Sequence, residues 1–148
     1  MSTYTQIYYH IVFSTKNRHR VLDKNQRESL LRYAWGIVNN HRCHLYRINA
    51  VEDHLHLLTS LHPSVSLADL PKSLKTGSSV WIKENRIFPA FDYWQEGYGA
   101  FTLSIRDKDP IIEYIKNQEE HHRHESFLDE YRRLLHEADI AFDDRYLE

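Results

Sequence analysis

The spacing of apolar residues along this sequence alternates between the two-residue period of a strand and the 3.6-residue period of a helix. Residues 5–13 (TQIYYHIVF) are aromatic and β-branched, which indicates a buried strand. A helix is predicted from Asp23, a suitable N-terminal cap, to about Asn40. Two antiparallel strands are then predicted at residues 44–48 and 51–58, because short alternating segments on either side of a turn are typical of paired strands.

The rest of the chain continues with a second helix and a further strand. The apolar pattern predicts a helix over residues 67–85 and a strand region over 91–104, which two glycines interrupt. Two more helices are expected, at about 110–122 and 127–138. The predicted fold is therefore α+β: a ferredoxin-like β-α-β-β-α-β antiparallel sheet with two additional C-terminal helices.

The composition is that of one globular domain, which we predict to span residues 1–148. No apolar run is long enough to span a membrane and no signal-peptide pattern opens the chain, so we expect a cytoplasmic protein without a membrane partner. The net charge of −2 is not the strongly basic balance of many nucleic-acid-binding proteins. However, residues 1–49 carry eight basic and only two acidic side chains, so a basic face remains compatible with the sequence.

His54 and His56 flank a leucine within one of the predicted strands. Side chains two residues apart project from the same face of a strand, so both imidazoles point the same way. Two neighbouring imidazoles form half of a metal site. The chain contains eleven histidines, and a chance pair at the surface is an alternative that the spacing alone leaves open.

Tyr114 and Gln118 lie four residues apart in a predicted helix, and so one turn above each other on one face. A phenol and a neutral amide oxygen can thus be presented to a common point, and an amide oxygen suits Mg²⁺ or Mn²⁺. The alternative is a tyrosine at the edge of the core beside a solvated glutamine. His121, His122 and His124 follow, and we expect them to be solvated rather than to form a second metal cluster.

In their order and context, these motifs resemble the IS200/IS605-type single-tyrosine transposases, including the relatives associated with repeated extragenic palindromes. The resemblance spans nearly the whole chain and is carried by YYHIVFSTKNR, VEDHLHLLTSL, LKTGSSVWI, YWQEGYGAFTLS, YIKNQEEHH and IAFDDRYLE. It matches His54 and His56 to the His-hydrophobe-His motif of that family. It also matches Tyr114 to the nucleophile and Gln118 to the metal-binding glutamine four residues later.

The resemblance implies a metal-dependent tyrosine DNA strand-transferase that cuts and rejoins single-stranded DNA with hairpin or palindromic ends. Tyr114 would form a 5′-phosphotyrosine link and release a 3′-hydroxyl, while His54, His56 and Gln118 would hold Mg²⁺ or Mn²⁺. The family commonly forms homodimers in which the tyrosine helix often completes the partner's site, so action in cis or in trans stays open. No small-molecule substrate is implied. Asp53 precedes the paired histidines and is expected to face away from them.

Basic side chains near the first strand and on the second helix are candidates for binding the DNA backbone. They are Lys16, Arg18, Arg20, Lys72 and Lys75. A solvated helix face explains the two helical lysines equally well. Trp94, Tyr98 and Phe101 are candidates for stacking on bases, although packing in the core is the favoured explanation for them.

Three other functions remain to be weighed against an active transposase. One is a domesticated relative that processes palindromic repeats of the host, and another is a DNA-hairpin-binding protein that no longer cuts. The intact set of His54, His56, Tyr114 and Gln118 argues against the second. The third is a metal hydrolase that uses water, against which we note that the sequence offers no evident general base or acidic ligand.

Overall fold

Four strands form one antiparallel sheet in the computed structural model, which describes residues 2–147. The strands are Tyr8–Ser14 (β1), His44–Ala50 (β2), His54–Ser60 (β3) and Gly99–Leu103 (β4). Their order across the sheet is β2-β3-β1-β4, and β1 pairs with both β3 and β4. This is the ferredoxin-like arrangement, so the predicted α+β fold is confirmed. Met1 and Glu148, the ends of the predicted 1–148 domain, lie outside the described residues.

Five α-helices lie within residues 2–147. They are Lys24–Asn40 (α1), Asp69–Asn85 (α2), Lys108–Lys116 (α3), Gln118–His121 (α4) and Phe127–Glu137 (α5). The helix predicted over 110–122 is divided at Asn117, whose backbone leaves the helical region (φ −95°, ψ 20°). The C-terminal part therefore contains three helices where two were expected. No helix in the described part of the chain is both long and apolar enough to cross a membrane.

Serine side chains stabilise the starts of two helices. The Oγ of Ser126 accepts a hydrogen bond from the backbone N–H of Asp129 at 3.2 Å, which caps α5. The Oγ of Ser66 accepts in the same way from the N–H of Asp69, the first residue of α2, also at 3.2 Å. These caps replace bonds that the first N–H groups of a helix cannot make within the helix.

The strand region predicted over 91–104 is a strand only in its last part, Gly99–Leu103. The preceding residues form a loop whose Trp94 is buried in the core, where its Nε1 donates a hydrogen bond to Ser78. Lys75 of α2 fixes this loop because its ammonium group donates to the carbonyl of Gly97. Core packing, the contact from Lys75 and one isolated antiparallel bridge between Trp94 and Thr15 hold these residues in place of a continuous strand.

One face of the sheet packs against α1 and α2. Odd-numbered residues of the two central strands, such as Ile11 and Leu57, point to this face and are fully buried. They meet Leu30 of α1 and Leu74 of α2 in the main apolar core. The alternation of side chains along each strand therefore leaves the even-numbered residues for the opposite face.

The opposite face is covered by the C-terminal helices. Val12 and Phe101 pack beside Phe127 and Leu134 of α5 in a second apolar cluster. A third cluster joins Tyr8 and Leu58 of the sheet to Ile115 of α3. Between these two clusters lie polar side chains that the helices bury: His10 of β1, and His54 and His56 of β3.

The close approach of α5 to the sheet depends on a glycine at the start of β4. A Cβ atom at Gly99 would lie 2.7 Å from Cε1 of Tyr131 on α5, which is closer than two carbon atoms can pack. The absence of a side chain at this position therefore allows the tyrosine ring to lie directly on the strand.

Candidate active site

His54 and His56 point to the same face of β3, as the strand period predicts, and both are fully buried. The Nδ1 of His54 lies 2.6 Å from Oδ1 of Asp53. The expectation that Asp53 faces away is therefore wrong. Strand alternation does not apply to Asp53, because β3 begins only at His54. The Nδ1 of His56 lies 2.8 Å from Nε2 of His10 on the neighbouring strand.

The contact with Asp53 determines which atom of His54 carries a proton. A carboxylate only accepts hydrogen bonds, so Nδ1 of His54 carries the proton that is donated to Asp53. Nε2 of His10 can accept from Nδ1 of His56 or donate to it, according to the tautomer. On both His54 and His56, the other ring nitrogen, Nε2, points away from these partners and is the one that a metal ion would bind. Metal-bound histidines in proteins are usually oriented by such a partner on the other ring nitrogen.

Tyr114 and Gln118 lie against these imidazoles in the same chain. The Oε1 of Gln118 is 3.3 Å from Nε2 of His54, and its side chain is buried. The ring of Tyr114 is half-buried and packs edge-on to the ring of His56, with 5.9 Å between centroids. The structure thus brings together all four of the residues that the sequence motifs single out, although Tyr114 and Gln118 belong to different helices on either side of Asn117.

Glu130 of α5 occupies the centre of this group and was not identified from the sequence. Its Oε1 is 3.0 Å from Nε2 of His56 and 3.3 Å from Nε2 of His54. Its other carboxylate oxygen, Oε2, accepts hydrogen bonds from the hydroxyl of Tyr114 and from Nε2 of Gln118. The side chain of Glu130 is fully buried, and these polar contacts compensate for the hydration that its carboxylate loses.

His122 also joins the group, which corrects the expectation that it is solvated. Its Nε2 lies 3.0 Å from Oε1 of Glu130 and 2.9 Å from Oε1 of Gln118. His121 turns to Glu125, with 2.6 Å between its Nε2 and the carboxylate, whereas the side chain of His124 is exposed. The three neighbouring histidines thus have three different environments.

The hydroxyl of Tyr114 has a cationic neighbour. Nη2 of Arg133, one turn after Glu130 on α5, donates to this hydroxyl at 2.7 Å, and Glu125 binds the same guanidinium group. Burial raises the pKa of Tyr114, and the carboxylate of Glu130 raises it further, while Arg133 opposes the shift. Arg133 is therefore the group in this site that favours the phenolate.

The pKa values of the buried imidazoles are shifted in different directions. Burial lowers the pKa of His56 to about 4 and that of His10 to about 3. Burial would also lower the pKa of His54, but hydrogen bonds with Asp53 and Glu130 outweigh it and raise the pKa above its usual value. His10 and His56 are thus neutral near pH 7, and a neutral imidazole is the form that binds metal ions.

The donor set fits a divalent cation. His54, His56, His122 and Glu130 each present one ligand atom, and these atoms lie within 4.8 Å of one another. Atoms bound to one ion at about 2.1 Å are separated by roughly 3–4 Å, so small side-chain adjustments suffice. Oε1 of Gln118 faces the same space through its contacts with His54 and His122.

Three of the five candidate DNA-contact residues line one cleft of about 690 Å³: Lys16, Lys72 and Lys75. Lys72 is exposed. Lys16 forms an exposed ion pair with Asp92 at 3.5 Å. The ammonium of Lys75 donates to the carbonyl of Gln95 at 2.8 Å, so this lysine also has a structural role.

The other two candidates lie elsewhere. Arg20 lines a second cleft of about 410 Å³, together with Asp53 and His122 of the candidate site. Arg18 is half-buried in a left-handed backbone conformation (φ 55°), and its Nη1 has no hydrogen-bond partner among the described residues. The structure therefore divides these five residues among three environments.

The aromatic residues considered for base stacking also separate. Trp94 and Phe101 are buried in apolar clusters, as core packing predicts. Tyr98 is exposed and lines the cleft of Lys72, where a nucleic-acid base could reach its ring.

The sequence model of the family described as "Transposase IS200 like" matches residues 3–118. The chain belongs to this family. Its matched region contains His54, His56, Tyr114 and Gln118, and it ends at Gln118. His122, Glu130 and Arg133 of the candidate site lie beyond it.

Individual relatives agree with this assignment. The chain is 27% identical over 123 residues to the ISDra2 transposase TnpA of Deinococcus radiodurans. The aligned region covers 76% of this chain and 84% of that relative. It resembles a crystal structure described as a transposase from Deinococcus radiodurans R1, with a TM-score of 0.62 and 26% identity over 80% of this chain and 95% of that one.

A third protein shares the fold at lower identity. It is a REP-associated tyrosine transposase, solved bound to a REP hairpin, and it matches with a TM-score of 0.60 and 14% identity over 82% of this chain and 74% of that chain. At this identity, the similarity is one of fold alone.

Proposed function

We propose that this protein is a DNA transposase that cuts and rejoins single-stranded DNA through a 5′-phosphotyrosine intermediate on Tyr114. The observation that carries this proposal is the meeting of Tyr114 and Gln118 with His54 and His56 of the same chain. Membership of the IS200-like transposase family supports the reaction class.

In the proposed reaction, the phenolic oxygen of Tyr114 attacks the phosphorus of a phosphodiester. The phenol gives up its proton, the bond from phosphorus to the 3′ oxygen breaks, and the 5′ phosphate remains on the tyrosine, while the released oxygen takes up a proton and becomes a 3′-hydroxyl. A second 3′-hydroxyl can reverse the step and join a new strand, because the energy of the broken bond is kept in the protein–DNA link. Arg133 places a positive charge 2.7 Å from the attacking oxygen.

Mg²⁺ or Mn²⁺ is the proposed cofactor, held by His54, His56 and Gln118. When bound, it would polarise the scissile phosphate and offset the charge that develops there. The contacts of Asp53 and His10 keep the two imidazoles oriented for this role.

The proposed partner is single-stranded DNA with hairpin or palindromic ends, bound in the cytoplasm. The fold shared with a protein solved on a REP hairpin supports this class of DNA. Lys16 and Lys72, which line one cleft with the exposed Tyr98, are the proposed backbone contacts. A homodimer remains a prediction from the family resemblance, and no small-molecule substrate is proposed.

The second candidate is a domesticated relative that processes palindromic repeats of the host, which the same fold similarity favours. The DNA around the coding region distinguishes the two: one flanking pair of hairpins indicates a mobile element, and repeats scattered over the chromosome indicate the relative. A hairpin-binding protein without cleavage activity is disfavoured, because binding alone does not require the four motif residues to lie together in one site.

The test is to incubate the protein with a single-stranded oligonucleotide that carries the hairpin and flank next to its own coding region. With Mg²⁺ or Mn²⁺, we expect a covalent protein–DNA adduct that survives denaturation. Tyr114→Phe lacks the attacking oxygen and should form none, while Tyr146→Phe, at a tyrosine that is 80% exposed, should behave as the wild type. An adduct from Tyr114→Phe would show that another residue is the nucleophile.

A further inference from the structure

The role of Glu130 cannot be explained by helix docking. Its helix, α5, is already held on the sheet by Phe127, Leu134 and Leu135, which are buried in an apolar cluster. Burying a carboxylate among polar groups does not by itself stabilise a fold more than an apolar residue of similar size would. A fully buried acid at the centre of three imidazoles therefore calls for a different explanation.

The two oxygens of Glu130 face different groups. Oε1 is directed to the imidazoles, at 3.0 Å from Nε2 of His56 and of His122 and at 3.3 Å from Nε2 of His54. Oε2 is directed to the hydroxyl of Tyr114. One carboxylate thus contacts both the candidate metal ligands and the candidate nucleophile.

We propose that Glu130, together with His122, is a ligand of the divalent cation through Oε1, and that its Oε2 positions the hydroxyl of Tyr114. This inference rests on the proposed function and extends it, because both residues lie beyond the matched family region of residues 3–118. The C-terminal segment of this chain thereby converts a neutral ligand set into one with a negative charge.

The ligand set indicates the kind of ion. His54, His56 and His122 supply imidazole nitrogens, and Glu130 supplies one charged oxygen. Mg²⁺ favours all-oxygen surroundings and keeps several of its waters, whereas first-row transition metals bind imidazole well. The site therefore selects Mn²⁺ or a similar transition-metal ion over Mg²⁺.

The test is a titration of the full-length protein with Mn²⁺ in the absence of DNA, followed by calorimetry and by loss of the electron paramagnetic resonance signal of free Mn²⁺. The wild type should bind one ion, and Mg²⁺ should compete at least about a hundredfold less well. Glu130→Gln should bind Mn²⁺ at least about tenfold more weakly. Glu137→Gln is the matched control, because this acid lies on the same helix, is exposed and contacts Arg133.

Two results would overturn the inference. One is wild-type Mn²⁺ affinity in Glu130→Gln while His56→Ala loses binding. The other is a wild type that binds Mg²⁺ as tightly as Mn²⁺. Neither result touches the proposed function, which fails separately if the wild type forms no DNA adduct through Tyr114.

A crystal of the wild type grown with Mn²⁺ tests the same inference if Glu130→Gln does not fold. Anomalous scattering should place the ion in contact with Glu130, His54 and His56. An ion bound without Glu130 contradicts the inference. So does an ion bound by His121 and Glu125, because these two residues form a separate group of donors with Glu130 that does not include His54 or His56.

Discussion

Replacing Asp53 with asparagine keeps the shape of the side chain and removes its charge beside His54. The carboxylate oxygen of Asp53 lies 2.6 Å from Nδ1 of His54, and its side chain is only 18% exposed. A hydrogen bond to a charged group contributes about 1.5–3 kcal/mol and one between neutral groups about 0.5–1.5 kcal/mol. The substitution should therefore weaken the orientation and lower the basicity of His54. The expected loss of metal-binding free energy is about 1–1.5 kcal/mol, which corresponds to roughly tenfold weaker metal binding.

Calorimetric titration with Mn²⁺ measures this loss directly. Glu52→Gln is the control, since Glu52 is the preceding residue, is exposed and contacts Arg20 rather than an imidazole. The backbone carbonyl of Asp53, which accepts a hydrogen bond from the N–H of Thr15, is unchanged by the substitution, so the turn should be preserved. If Asp53→Asn bound Mn²⁺ within about twofold of the wild type, the carboxylate would not orient His54 for a metal, and the argument from tautomers would fail.

Two further predictions concern the helix layer and the DNA cleft. Gly99→Ala should lower the free energy of unfolding, measured in urea, by about 1–3 kcal/mol, because the new Cβ meets the ring of Tyr131. Gly36→Ala, in α1 with no neighbour within 4 Å, should raise it by up to about 1 kcal/mol. Equal effects of the two substitutions would contradict the close packing at Gly99. Lys72→Ala should weaken binding of single-stranded DNA and reduce the slope of log affinity against log salt by about one, as measured by fluorescence anisotropy. An unchanged salt slope would remove Lys72 from the DNA interface.

The element order and the face of the paired histidines followed directly from the sequence. Strand periodicity was sufficient to place the side chains of His54 and His56 together, because β3 is regular over its whole length. The four-residue spacing of Tyr114 and Gln118 was also informative, even though Asn117 divides their helix. Local patterns of this kind are set by the backbone alone and do not require knowledge of how elements pack.

The residues that the sequence did not reveal depend on tertiary packing. His10 reaches His56 across two paired strands, and no local pattern indicates that contact. Glu130 did leave a signal, since Phe127, Glu130 and Leu134 share one face of α5 and the two others are apolar. An acid on the buried stripe of a helix is unusual, and it marks a position at which its charge has a partner.

The length of the fourth strand was overestimated for a related reason. Aromatic residues in a row favour a strand, and Phe91 and Trp94 are indeed buried. Both residues, however, lie in a loop. The ammonium of Lys75 stabilises this loop through hydrogen bonds to the backbone carbonyls of Gln95 and Gly97. Aromatic content predicts burial more reliably here than it predicts the ladder hydrogen bonds that define a strand.

The helix α5 presents core residues and site residues from adjacent turns. Phe127 and Leu134 anchor it to the sheet, while Glu130 and Arg133 reach the tyrosine hydroxyl. Any change that loosens this anchorage moves a carboxylate and a guanidinium group at the same time. Thermal stability and reactivity of this chain are consequently coupled through one eleven-residue segment.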